Sequence, residues 1–234
     1  MFYPKLLLTG CFLFLIIGCN SNNSEKATTV KSPSKKTAIS PQLDTVATDR
    51  VLVYQCGDSL RTVSYASTDS TWVLLPDTTL KMSRQKSASG EKYKADNHLY
   101  WTKGDEALLQ LPKGSLMSCS LQPKQKSWAV AKLRGVDFRA MGQEPGWVLE
   151  ITKGKQIKYV GNYGQDTVYT PAPEPAVQTS GKTVYRVSTE DDTLKIEVWD
   201  SPCTDTMNGA QFPVTVHMKA NKEEHKGCGK MLTN

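Results

Sequence analysis

The sequence predicts an all-β protein: two small, disulfide-stapled antiparallel β-barrel or sandwich domains that follow a secretory leader and a flexible linker. Three observations predict it. Apolar and polar residues alternate, as in Trp147, Leu149 and Ile151 against Val148 and Glu150, or Leu194, Ile196 and Val198 against Lys195 and Glu197. Turn pairs break the strands at short intervals: Asp58-Ser59, Pro76-Asp77, Ser89-Gly90, Lys103-Gly104, Lys113-Gly114 and Lys153-Gly154. Outside the leader and linker, four of the six cysteines remain, which suits small domains short of core. No segment keeps a helical period, beyond a turn near Asp205 to Ala210.

In chain order, Lys5 precedes the apolar run Leu6 to Ile17, which is short for a membrane span and fits a secretory signal. The ending Leu15-Ile16-Ile17-Gly18-Cys19 resembles a bacterial lipobox. That resemblance implies cleavage after residue 18 and acylation of Cys19, which would tie the chain to the membrane. Residues 19–49 follow, rich in Ser, Thr, Asn and Lys and without an aromatic residue, and read as a flexible stalk. Asn20 rather than Asp after the lipidated cysteine resembles the signal for the outer membrane, inner leaflet, facing the periplasm. An ordinary signal peptide with an incidental Cys19 is the plainer alternative.

Cys56, Cys119, Cys203 and Cys228 allow three pairings. Cys56–Cys119 and Cys203–Cys228 are expected, because each then closes within one unit and the periplasm keeps disulfides oxidised. In the chain-entropy account such loops contribute about 4 and about 3.5 kcal/mol. A metal site is not expected: there is no C-x-x-C pair, and His98, His217 and His225 are scattered. No cofactor is implied. The net charge of +6 is mild and unorganised, so no nucleic-acid partner is expected.

The first unit, residues 50–122, begins with the apolar runs Val51 to Tyr54 and Trp72 to Leu75. It holds Tyr54-Gln55-Cys56, then Ser87-Ala88-Ser89-Gly90-Glu91-Lys92-Tyr93, then Tyr100-Trp101-Thr102-Lys103-Gly104-Asp105-Glu106-Ala107, and ends at Cys119. Together these segments resemble the MliC family, the membrane-bound inhibitors of c-type lysozyme, whose signature is a serine-glycine loop, then W-x-K-G-x-E-A, then a cysteine. The resemblance implies a small antiparallel barrel that inserts a loop into the lysozyme cleft, where two carboxyl groups flank the scissile bond. It assigns lysozyme contact to Ser89 and Lys103, with Ser87 as the alternative serine. Gly90 and Gly104 would turn the backbone beside them, and Tyr93, Tyr100 and Trp101 would pack under or beside the loop. Lys103 offers a compact positive charge with three donors; Ser89 can donate or accept.

Taken singly, these motifs are commonplace: Ser-Gly and Lys-Gly pairs usually mark turns, and Tyr93 and Trp101 are ordinary core residues. Residues 51–122 carry eight basic and seven acidic side chains, and Arg84, Lys86, Lys92 and Lys94 crowd the loop. C-type lysozymes are basic, so net charge does not speed this encounter. A Ser89, His98, Asp96 triad lacks an oxyanion hole and a nucleophile elbow, so no enzyme is expected. A non-catalytic module binding peptidoglycan or another envelope glycan is the alternative function.

The second unit, residues 128–234, follows the polar stretch Pro123 to Ser127 and contains a proline-rich loop, Pro171 to Pro175. Its segments Gly142-Gln143-Glu144-Pro145-Gly146-Trp147 and Cys203-Thr204-Asp205-Thr206-Met207-Asn208-Gly209 resemble an uncharacterised bacterial lipoprotein domain. That resemblance implies an envelope location and no activity. Glu144 and Asp205 read as turn-capping acids rather than ligands.

Overall fold

The computed structural model describes residues 50–233. The expected signal peptide, the stalk and lipidation at Cys19 lie outside the described residues. Among these, no helix is long and apolar enough to cross a membrane.

Eight antiparallel strands close a barrel: β1 Val51–Cys56, β2 Leu60–Ala66, β3 Ser70–Leu74, β4 Thr79–Gln85, β5 Glu91–Ala95, β6 His98–Lys103, β7 Glu106–Gln110 and β8 Leu116–Leu121. All six turn pairs read from the sequence fall at bends or strand ends. Each strand turns alternate residues inward, and Tyr54, Val73, Met82, Tyr93, Tyr100 and Leu109 form the core. Three of these are tyrosines packed ring against ring: Tyr54 meets Tyr100 edge-on at 6.3 Å, and Tyr93 stacks on Tyr100 at 6.4 Å. The buried Tyr100 hydroxyl donates to Ser64 Oγ at 2.9 Å, which satisfies its polar end. The barrel closes where β1 meets β8 over three residue pairs, Tyr54 with Leu121, Gln55 with Ser120 and Cys56 with Cys119. The last pair is the first disulfide, as expected.

Residues 123–136 depart from the sequence reading. A 3₁₀ turn, Pro123–Gln125, leads into helix α1, Lys126–Leu133. The helix is two turns long, and its buried residues, Trp128, Val130 and Ala131, show no repeated three- or four-residue spacing. Its stability comes from docking: Trp128 and Ala131 pack with Val136, Leu232, Met141 and Phe212.

A second, curled sheet follows, built from β9 Phe138–Gly142, β10 Trp147–Thr152, β11 Gln156–Gly161, β12 Asp166–Pro171, β13 Val177–Gln178, β14 Lys182–Ser188, β15 Thr193–Trp199, β18 Val214–Ala220 and β19 Glu223–Met231. A two-stranded ribbon, β16 Cys203–Thr204 and β17 Gln211–Phe212, stands apart. The order is β12-β11-β10-β9-β19-β18-β15-β14-β13, antiparallel throughout. The two edge strands therefore run in the same direction. Residues 166–178 act as one interrupted strand that pairs first with β11 and then with β14, and the Pro171 to Pro175 stretch makes the crossing. Trp147, Leu149, Ile151, Leu194 and Ile196 fill the concave side, as their alternation predicts. The Cys203–Cys228 disulfide ties the ribbon to β19.

The opposite side of this sheet, partly covered by α1, holds a group the sequence did not announce. Glu150 is buried and engaged by two arginines: Arg134 Nη2 lies 3.0 Å from both carboxylate oxygens, and Arg139 Nη1 also donates to Oε1. The Arg139 guanidinium and the Lys230 ammonium cover the Trp128 ring at 5.5 and 4.8 Å.

Candidate functional site

The β4–β5 loop and the β6–β7 turn sit side by side, because β5 pairs with β6 and Glu91 faces Thr102. Continuing that register places Gly90 beside Lys103. The approach is close: a Cβ on Gly90 would lie 2.3 Å from the Thr102 carbonyl oxygen and 3.1 Å from Lys103 Cβ. Gly90 also has φ +66, a conformation that favours glycine. Trp101 Nε1 donates to the Ser89 carbonyl at 3.0 Å, and Ser87 Oγ donates to the Gly90 carbonyl at 2.9 Å. Two contacts thus hold the serine loop against the end of β6, and the Ser87 bond fixes the loop's own shape.

The lysine turn is held from inside the barrel. The Tyr54 hydroxyl donates to the Gly104 carbonyl at 3.0 Å, and Leu121 N–H donates to the Asp105 carbonyl at 2.8 Å. Gly104 adopts φ +59 in open space. Ser89 and Lys103 are both exposed, and neither side chain takes part in a hydrogen bond or ion pair among the described residues. The cations near the loop are partly engaged: Arg84 pairs with Glu91 at 2.6 Å, and Lys92 lies over the Trp101 ring at 5.4 Å.

Tyr93 lies in the core beneath this surface, and its hydroxyl donates to Glu91 at 3.0 Å. Burial, then the bond to Glu91, pushes that hydroxyl up to about 12, so it stays protonated and donating at neutral pH. Trp101 is half-buried at the flank. Tyr54 and Glu91 were not singled out from the sequence as site residues. Tyr54 lies 50 residues from the carbonyl it binds, a separation that no local pattern reveals.

The structure does not bring Ser89, Asp96 and His98 together. Asp96 sits in the β5–β6 turn with φ +47, not on a strand face shared with His98. His98 opens β6, at the opposite end from the serine loop, with Nδ1 3.1 Å from the Ala95 carbonyl. In the second sheet, the Asp205 carboxylate accepts from Met207 N–H at 2.8 Å and Asn208 Nδ2 at 3.1 Å, which is turn-capping work.

The exposed Lys103 ammonium and the exposed Ser89 hydroxyl thus stand beside each other at one end of the barrel. Residues 54–117 match the MliC family. The family is described as the membrane-bound lysozyme-inhibitor of c-type lysozyme. No curated protein and no solved structure matches the chain. The MliC match spans Ser89 and Lys103 and begins at Tyr54, the residue that anchors the lysine turn. It suggests a lysozyme-inhibitor role, with a protein as partner.

Proposed function

We propose that the barrel inhibits c-type lysozyme by inserting the Ser89 loop and Lys103 into the enzyme's cleft, and that Cys19 carries the lipid that holds the chain at the outer membrane, facing the periplasm. The observation that carries this reading is the packing of Gly90 on Thr102 and Lys103, which joins the two motif segments into one exposed unit. Lys103 then meets a catalytic carboxylate as a charge-assisted contact, and Ser89 donates to the second carboxyl or accepts from it when protonated. Occupying both groups blocks the acid and the nucleophile or base that glycoside cleavage needs. Residues 50–122 and 128–234 form separate domains in this reading, and only the first does the inhibiting.

The test is lysis of cell walls by c-type lysozyme in the presence of the purified chain. Lys103→Ala should weaken inhibition by roughly 2–5 kcal/mol, as expected when a desolvated charge partner is truncated. Ser89→Ala should cost about 0.5–1.5 kcal/mol. Lys113→Ala, in an exposed turn away from the loop, should leave inhibition intact. Full inhibition by a folded Ser89→Ala/Lys103→Ala double variant would move the contact to another surface. Binding to purified sacculi without inhibition would instead favour the glycan-binding alternative.

A further inference from the structure

The strand register carries Lys103 into a strip of the barrel's outer face that the serine loop does not use. Lys103 faces Glu106 across β6 and β7, Glu106 faces Ser120 across β7 and β8, and Ser120 faces Gln55 across the closure. Neighbouring strands lie about 4.8 Å apart, so this row reaches roughly 14 Å from the lysine. A second row, Trp101, Leu108 and Ser118, runs beside it. Both rows line a shallow depression of about 560 Å³, which Asp58 of the β1–β2 turn also lines.

The charges on either side of Lys103 differ in sign. On the strip side, Glu106 and Asp58 are exposed and belong to no ion pair among the described residues. Glu106 faces Lys103 on the next strand, yet the two form no ion pair, so its carboxylate stays available. On the loop side, Lys86 and Lys94 are exposed cations, Lys92 is half-buried over the Trp101 ring, and the acid Glu91 is taken by Arg84. Two unpaired acids thus stand on the strip side of Lys103, with the exposed Arg61 only beyond Gln55 at the far end of the row.

We infer that the strip is a second contact surface for a basic c-type lysozyme, with Glu106 and Asp58 receiving cationic side chains from the rim of its cleft. This rests on the inhibitory reading of Lys103 and goes beyond it by fixing the orientation of the partner. Leu108, half-buried beside Trp101 and away from its overlying Lys92, supplies an apolar floor for the stem of an arginine or lysine side chain, whose charged head then reaches the acids. Such complementary rim charges set register and association rate more than affinity.

The experiment measures association of the full chain with a basic c-type lysozyme at low and at moderate salt. Glu106→Lys should slow association about three- to tenfold at low salt and flatten its salt dependence. Asp58→Lys should act in the same direction, and carries the test alone if the first variant does not fold. Asp77→Lys makes the same change in net charge on the exposed β3–β4 loop and should keep the wild-type rate. Wild-type rates in folded Glu106→Lys and Asp58→Lys, or equal slowing in Asp77→Lys, would overturn the inference while leaving the Lys103 reading standing. A wild-type chain that neither binds nor inhibits lysozyme would remove both.

Discussion

Gly90→Ala should be disproportionately damaging, and its cost can be worked from two separate sources. The residue has φ +66, so an alanine there carries the left-handed penalty of about 1–2 kcal/mol. The added methyl also lies 2.3 Å from the Thr102 carbonyl oxygen. That atom is backbone in β6, paired with β5, and cannot rotate away as a flexible side chain would. Making room means displacing the loop from the strand, an overpacking cost of about 1–3 kcal/mol. The sum is about 2–5 kcal/mol. Gly104→Ala supplies the comparison: φ is +59, but nothing lies within 4 Å of the new methyl, so only the first cost applies. Urea unfolding of both variants, with unchanged slope, gives the difference directly. Gly90→Ala should also lose more lysozyme inhibition than Ser89→Ala, because it displaces the whole loop from Lys103. Equal destabilisation by the two glycine variants would refute the close approach on which this reasoning depends.

Two further outcomes are expected in the second sheet. Glu150→Ala should destabilise the protein by about 3–5 kcal/mol in denaturant melts, since it strands the largely buried Arg139 without its carboxylate; a loss below 1 kcal/mol would mean that the ion triad is relaxed by solvent. Lys195 and Lys182, hydrogen-bonding at 2.8 and 3.0 Å, hold the Glu197 carboxyl down at about 2, below its ordinary 4.5. A carboxylate depressed on folding stabilises above its unfolded value and loses that contribution as pH falls through the folded one. The melting-temperature gap between wild type and Glu197→Gln should therefore be full above pH 4.5 and shrink towards pH 2; a gap that does not change with pH would contradict the pairing.

Much of the strand content was legible because a sheet with one wet face writes its pattern into every second residue. Val148 and Glu150 read as outward positions for that reason, and so the sequence hid the burial of Glu150. Its neighbours on that face, Arg134 from the end of α1 and Arg139 from β9, cover it only once the chain has folded. Helix α1 escaped notice because its apolar residues answer to Phe212 and Leu232, some eighty to a hundred positions away, rather than to one another. At the site, the serine and lysine motifs were visible as segments. Their proximity follows from the β5–β6 register, and the support from Tyr54 follows from the barrel's inward alternation. Neither is written locally.

The short β1–β8 closure has a consequence for when the protein can act. One of its three residue pairs is covalent, and the strand it secures carries Tyr54, the donor that steadies the lysine turn from within. The row from Lys103 to Gln55 crosses the same join. A newly made chain in a reducing cytoplasm holds this join by two ordinary pairs, with the thiols still separate. Oxidation then fastens the ring and completes the surface in one event. Closure of the barrel, and with it the support of the lysine turn from Tyr54, is thereby tied to a single oxidation, the joining of Cys56 to Cys119.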